Sequence, residues 1–283
     1  MPELPEIEAL RDELQSRLAD RLVEAATLRQ FALLKTFDPP LEALVDTRFM
    51  RTGRHGKHLL LEFSDDLVLA LHLGIGGRMV FAQAGKNPPR AVSLELSFDD
   101  GTALRVVELG TKKRSSAHVL RSDQVAEHLQ SLGIDALDPK LTPDRLGELL
   151  RSERMQLKTF LENQHKVAGI GNAYSDDILW EARLAPLRMT SSVEDEEAVA
   201  LLEAIRKVLA AAIERARDNN YLLVARGDER HSFQVHRRTG EPCPRCGEPI
   251  ASIYLAETNF QYCPACQHDG KAYADRRLSR LLK

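Results

Sequence analysis

All four cysteines of this 283-residue chain fall near its end, as Cys243-Pro-Arg-Cys246 and Cys263-Pro-Ala-Cys266, with 16 residues between the pairs. Each pair sets two thiols on one tight knuckle, and two knuckles at this spacing match the tetrahedral ligand set of a zinc ribbon. A redox dithiol is the alternative chemistry. Four protein ligands leave no open coordination position, so the expected zinc is structural. It supplies folding energy to a segment too small for a core of its own. Ribbons serve many folds, and this module alone names no function.

The element that must hold the knuckles reads as a hairpin: Ile250, Ser252 and Tyr254 alternate with Ile253 and Leu255, and the return carries Phe260 and Tyr262. At the other end of the chain, Ile7, Leu10, Leu14 and Leu18 predict one amphipathic helix from Pro5 to Leu22, holding the amino terminus against a core. Two hairpins follow from His58 to Phe63 with Leu67 to Leu73, and from Val92 to Phe98 with Thr102 to Leu109, so the first part of the chain is β-rich. Lys86-Asn87-Pro88-Pro89 and Asp138-Pro139-Lys140 are breakers, the second marking a domain boundary. Helices are then predicted after Thr142-Pro143-Asp144, over Met155 to Gln164, over Asn172 to Ala182, and from Val193 to Arg217 behind a Ser191/Glu194 cap. No internal repeat is present.

At 43% hydrophobic residues the chain can bury a substantial core, and its apolar runs are too short to span a bilayer. Met1-Pro2-Glu3-Leu4-Pro5-Glu6 is acidic and unlike a secretory leader, so a cytoplasmic protein is expected. A net charge of −3 and a pI of about 6.3 give no global pull toward nucleic acid. Positive charge is local: Arg48, Arg51, Arg54 and Lys57; then Lys112, Lys113 and Arg114; then Arg237, Arg238, Arg276, Arg277 and Arg280. Each such run taken alone reads as a solvated face.

Further stretches stand in collinear order ahead of the ribbon: Met1-Pro2-Glu3-Leu4-Pro5-Glu6, Gly56-Lys57-His58-Leu59-Leu60, His72-Leu73-Gly74 with Gly77-Arg78, and Val167-Ala168-Gly169-Ile170-Gly171-Asn172-Ala173-Tyr174. With the ribbon, they make nearly the whole chain resemble the formamidopyrimidine-DNA glycosylase family. Leu4, where endonuclease VIII relatives carry glycine, favours the formamidopyrimidine branch. The resemblance implies an α+β chain: an N-terminal β-sandwich with a leading helix over residues 1–135, a helix-two-turns-helix domain over 136–225 and a C-terminal zinc ribbon over 226–283. It implies a monomeric, nucleoid-associated base-excision enzyme acting on damaged double-stranded DNA as glycosylase and abasic-site lyase, with one structural Zn2+ and no membrane partner.

Within that resemblance Pro2, freed by removal of Met1, presents a secondary amine able to form an iminium with a sugar carbon. Glu3 is placed to protonate the deoxyribose ring oxygen, and Lys57 to assist β-elimination and hold a phosphate. Gly169-Ile170-Gly171-Asn172 is a turn ahead of a helix N-terminus, where Asn172 binds a backbone phosphate, with Arg154 and Lys158 on the preceding helix adding charge. His72 contacts the damaged strand or is a satisfied core histidine, and Glu6 orients the leading helix. The family fills the gap left by a flipped nucleotide with methionine, arginine and phenylalanine, whereas this chain has Ile75 and a Glu108-Leu109-Gly110-Thr111-Lys112-Lys113-Arg114-Ser115 loop without phenylalanine. Thr258 stands where the family carries a phosphate-reaching arginine, and the segment from Asn219 to Phe233 is short. Altered lesion scope is the expectation, and a damage-binding protein with weakened catalysis on the same scaffold is the alternative.

Overall fold

The computed structural model describes residues 2–85, 90–109, 114–218, 233–255 and 258–273, the side chains of Leu255 and Thr258 excepted. Expectations resting on Met1, residues 86–89, Lys112, Lys113, residues 219–232, Arg276, Arg277 and Arg280 lie outside the described residues.

Helix α1 spans Leu4–Leu18 and buries Leu4, Ile7, Leu10, Leu14 and Leu18, the stripe its spacing predicts. Pro5 sits in the first turn, where its missing N–H costs nothing. The helix stops short of Leu22 because Asp20 enters the left-handed region at φ 60°, which frees Leu22 to bridge Arg48. Strands β1 (Val23–Leu28), β2 (Phe49–His55), β3 (His58–Phe63), β4 (Leu67–His72), β5 (Gly77–Gln83), β6 (Val92–Phe98), β7 (Thr102–Glu108) and β8 (Ser116–Arg121) follow. They form two four-stranded antiparallel sheets, β1-β6-β7-β5 and β2-β3-β4-β8.

Strand alternation sets the two faces of the second sheet. Leu59, Leu61, Phe63, Leu69, Leu71 and Val119 point inward and share a core with α1 and with Leu94, Leu96, Phe98, Leu104 and Val106 of the first sheet. The intervening Leu60, Val68, Ala70 and Leu120 point outward and are covered by α2 (Val125–Leu129) through Val125 and Leu129.

In the second half, β9 (Ile134–Asp135) precedes α3 (Pro143–Arg151) and α4 (Leu157–Glu162). Strand β10 (Val167–Ala168) pairs parallel with β9 and leads to α5 (Asn172–Glu181) and α6 (Asp195–Asp218). Thr142 caps α3, its hydroxyl accepting the Arg145 N–H at 3.2 Å. Helix α4 begins two residues later than expected because Met155 is held by a Thr190 N–H bond to its carbonyl at 2.8 Å and Gln156 bridges Met189. Hairpin β11 (Ala251–Leu255) with β12 (Thr258–Tyr262) and the short α7 (Pro264–Gln267) complete the ribbon. The chain divides into two compact units, Met1–Ser131 with Ala212–Ala225, and Leu132–Ala211 with Arg226–Lys283. No helix among the described residues is long and apolar enough to cross a membrane.

Candidate functional site

In the first unit, contacts run along the flank of α1. The Thr52 N–H donates to Gln15 Oε1 at 2.8 Å, Arg54 Nε pairs with Glu8 Oε2 at 2.5 Å, and Arg54 Nη1 donates to the Gly56 carbonyl at 2.8 Å. As the helix runs back from residue 15 to residue 8, the strand runs forward from 52 to 54, so the start of α1 lies toward the Gly56–Lys57 turn. From Glu8 back to Glu3 is about 7.5 Å of helix, roughly the two strand residues from Arg54 to Gly56. Pro2 is buried, and Glu3 and Lys57 are only 3% and 6% exposed. The Glu3 N–H donates to Glu6 Oε2 at 2.8 Å, so Glu6 fixes the entry of the chain into α1.

Cross-strand register puts His72 opposite His58, and so beside this turn. Burial, and the Lys57 ammonium nearby, hold His72 below the usual imidazole range. The loop that follows is tightly laced. Gly74 has φ +56°, and an added Cβ there would lie 2.6 Å from the Arg114 carbonyl oxygen, so only glycine fits. Buried Glu108 accepts the Arg114 and Ser115 N–H groups at 3.1 Å each, and the Ser115 hydroxyl donates to the Leu73 carbonyl at 2.8 Å. On this frame Ile75 and Leu109 are exposed, and the Leu109 N–H donates to the Gly76 carbonyl at 3.3 Å. The basic run on β2 splits: Arg48 and Arg51 face solvent, whereas Arg54 is buried against Glu8. Glu8 carried no signal in the sequence beyond its place on the inner flank of α1.

In the second unit, Gly169 has φ 112°, a conformation closed to other residues, and turns the chain into α5. Gln164 braces this turn, accepting the Gly169 N–H at 3.0 Å and donating to the Ile170 carbonyl at 2.6 Å. Asn172 opens α5 half-buried, with its Oδ1 buried and lacking a hydrogen-bond partner. Arg154 is exposed and lies between α3 and α4, not on the helix expected to carry it.

Lys158, expected to add charge beside the phosphate taken by Asn172, is only 1% exposed. Its Nζ donates to the Asn172 carbonyl at 2.7 Å, Ser175 Oγ at 2.9 Å and Asp176 Oδ1 at 2.6 Å, with Glu162 at 3.1 Å. Asp176 in turn meets His236 Nδ1 at 2.7 Å. Next to it, Asp177 accepts the backbone N–H groups of Gln234, Val235 and His236, yet burial still pushes its carboxyl above the usual range. The run Ser175-Asp176-Asp177 on an otherwise apolar helix was the available signal for this network.

The four cysteine Sγ atoms lie within 4.8 Å of one another, Cys243 and Cys266 at 3.9 Å and Cys246 at 3.5 Å from both Cys263 and Cys266. A Zn–S bond of about 2.3 Å gives a tetrahedron with edges of about 3.8 Å, so the donor set fits zinc. Burial alone would raise Cys243, but N–H groups of Arg245 and Cys246 and the Trp180 indole aim at its sulfur and bring it down to about 6. The Trp180 indole donates to Cys243 Sγ at 3.3 Å, and Arg245 stacks 3.9 Å above the Trp180 ring while donating to its carbonyl at 2.9 Å. Helix α5 and the knuckle thus share one small core.

The fold and the cysteine site define a class of proteins in which an antiparallel β-sandwich and a helical unit with a four-cysteine zinc ribbon occur in one chain. The family model for the formamidopyrimidine-DNA glycosylase N-terminal domain matches residues 1–113, that for the formamidopyrimidine-DNA glycosylase H2TH domain residues 132–221, and that for the zinc finger found in FPG and IleRS residues 240–268. A formamidopyrimidine-DNA glycosylase of Roseiflexus sp. is 34% identical over 94% of this chain and 100% of its own length. One from Symbiobacterium thermophilum is 35% identical over 98% of this chain and 93% of its own. Among solved structures, the Lactococcus lactis Fpg complex with abasic-site DNA superposes with a TM-score of 0.86 at 26% identity, over 94% of this chain and 99% of that one. The chain belongs to the formamidopyrimidine-DNA glycosylase family, and Cys243, Cys246, Cys263 and Cys266 form the site of one structural zinc.

Proposed function

We propose that the chain is a bifunctional DNA glycosylase and abasic-site lyase of base excision repair, with Pro2 as nucleophile. The observation that carries this reading is the antiparallel seating of α1 along β2, which directs buried Pro2 and Glu3 toward the Gly56–Lys57 turn. With Met1 removed, the proline nitrogen attacks C1′ of the damaged nucleotide, and the glycosidic electron pair leaves with the base. Glu3 gives a proton to the ring oxygen as the C1′–O4′ bond opens, and the nitrogen loses its own proton to leave an iminium. Lys57 assists loss of a C2′ proton, which expels the 3′ phosphate, and water then releases the enzyme.

The partner is damaged double-stranded DNA, bound by a monomer in the cytoplasm at the nucleoid. Asn172 at the start of α5 and exposed Arg154 take backbone phosphates, and His72 contacts the damaged strand. Lys158 acts as a positioning residue, holding the first turn of α5 by its own carbonyl and hydroxyl groups. Solved Lactococcus lactis complexes carry abasic-site DNA or Fapy-dG-containing DNA, and an oxidised or ring-opened base is the substrate class proposed here.

Borohydride reduction in the presence of abasic DNA tests the reading, since it converts an iminium to a stable covalent adduct. The N-terminally processed protein should be trapped, and a Pro2→Gly, Glu3→Gln double variant should not. Equal trapping of both, or none of either, would overturn it. A second reading, a damage-binding protein without strong catalysis, draws on the aliphatic Ile75 and on the loop lacking phenylalanine. Salt-dependent binding to abasic DNA without nicking would favour it.

A further inference from the structure

Five of the chain's nine histidines converge on the outer face of the second sheet. His55, His58 and His72 are register partners across β2, β3 and β4, and His118 stands on β8 opposite Ala70, two residues from Ser116, the partner of His72. His128 comes down on them from α2, three residues after Val125, whose side chain packs on the apolar half of the same face. The face is therefore divided: Leu60, Val68, Ala70 and Leu120 at one end, imidazoles at the other.

The rings are close. His58 and His72 centroids are 4.9 Å apart, His118 and His128 are 4.3 Å apart, and His58 and His128 meet edge to face at 6.0 Å. Two nitrogens in this group, His58 Nδ1 and His128 Nε2, are buried and have no hydrogen-bond partner. An orphaned buried nitrogen is a standing cost, and a pair of them on neighbouring rings more so. Metal–imidazole bonds are about 2.0–2.1 Å, so two rings sharing one ion have centroids no more than about 6.4 Å apart. The His58–His128 separation satisfies this limit.

We propose that His58 and His128 bind a divalent transition-metal ion, with His118 as the third ligand, at a second metal site distinct from the cysteine ribbon. The two unpartnered nitrogens supply two ligands, and rotation of the His118 ring against His128 supplies the third. Neutral imidazoles select ions of borderline softness such as zinc, nickel or copper over magnesium or calcium. Lys35 lies close enough to depress His118, but its ammonium is engaged by the Ala32 carbonyl at 2.5 Å. The remaining coordination positions go to water, so the ion is exchangeable, unlike the ribbon zinc. Its effect is to clamp α2 to the sheet one residue away from Lys57.

Isothermal titration of the zinc-loaded full chain with Ni2+, with zinc content measured before and after, tests the site without any reference to DNA chemistry. One equivalent of nickel should bind with the ribbon zinc retained. His58→Phe and His128→Phe should each weaken binding at least about tenfold, because each removes a ligand while keeping the ring. His165→Ala, an exposed histidine of the other unit, should leave it unchanged. If His58→Phe fails to fold, His128→Leu on the half-exposed α2 decides the matter. No nickel bound, nickel bound only in exchange for zinc, or binding that survives the His128 substitutions would each overturn the proposal.

Discussion

Lys57 and Lys158 are both almost fully buried, yet they stand in different settings. Lys158 is enclosed by groups of its own unit, two carboxylates, a hydroxyl and a carbonyl, which together use every donor its ammonium offers. Lys57 sits on the two-residue Gly56–Lys57 turn beside His72, and its field is felt by that titratable neighbour. A buried charge enclosed by its own unit stabilises a shape, which is the part Lys158 plays; the part proposed for Lys57 follows from its place on the turn beside His72. Burial alone does not separate the two cases.

The largest test of this contrast is removal of zinc. Structural zinc contributes about 10–16 kcal/mol of apparent binding energy, comparable with the whole stability of a domain. Chelation, or Cys263→Ser, should therefore open the core around Cys243, Ile250 and Trp180. Trp180 is the only tryptophan in the chain, and its indole donates to a zinc-ligand sulfur, so its emission should shift to the red. Amide-exchange protection on β3 and β4 should be retained. Unchanged emission would mean that the knuckle does not depend on the ion.

The two lysines can be compared directly. Lys158→Met leaves Asp176 and Glu162 facing an uncharged group and should cost about 3–5 kcal/mol in denaturant unfolding. Lys57→Met should cost less stability and should remove strand nicking at abasic sites. If Lys158→Met instead unfolds normally and loses only DNA affinity, the internal network is not what holds α5, and the contrast fails.

This contrast also explains what could be read in the chain beforehand. The β3–β4 and β6–β7 hairpins were legible because apolar runs flank Ser64-Asp65-Asp66 and Asp99-Asp100-Gly101, and Asp65, Asp66 and Gly101 do take the left-handed turn conformations those residues favour. Strand β2 was hidden: Phe49 is its only buried apolar residue, and Met50 to His55 read as a basic run. Cysteine spacing disclosed the ribbon because all four ligands are close in sequence. The burial of Lys158 was not legible because its partners are distant in sequence: Asp176 is 18 residues away, and His236, which orients Asp176, is 60 residues further on. The histidine face escaped notice for the same reason, since His58 and His128 meet only through the register of three strands and a covering helix.

Within the first unit, Glu3→Gln separates chemistry from shape more finely. The substitution keeps the size of the side chain and removes its proton, so base release and nicking should fall about 10²–10⁴-fold. Unfolding free energy should change by no more than about 1–2 kcal/mol. A large loss of stability with residual nicking would turn Glu3 into a structural group like Asp176.

The smallest effect is expected where a charge pair is only half-buried. Arg217 in the last turn of α6 meets Asp12 of α1 at 2.6 Å, with the two side chains 42% and 35% exposed. Burial acts to raise Asp12, but Arg11 and Arg217 outweigh it and hold the carboxyl below its ordinary 3.8. Because the folded value lies below the unfolded one, this pair stabilises the fold above that ordinary value and ceases to do so as pH falls through the depressed one. Solvent screening limits the contribution to less than about 1 kcal/mol. Asp12→Asn should therefore lower stability slightly and evenly above about pH 5, and the gap to the parent protein should close in acid. A gap that widens on acidification would show that another carboxylate carries the dependence, and a gap as large as that of Lys158→Met would show that half-buried and enclosed pairs are energetically alike here.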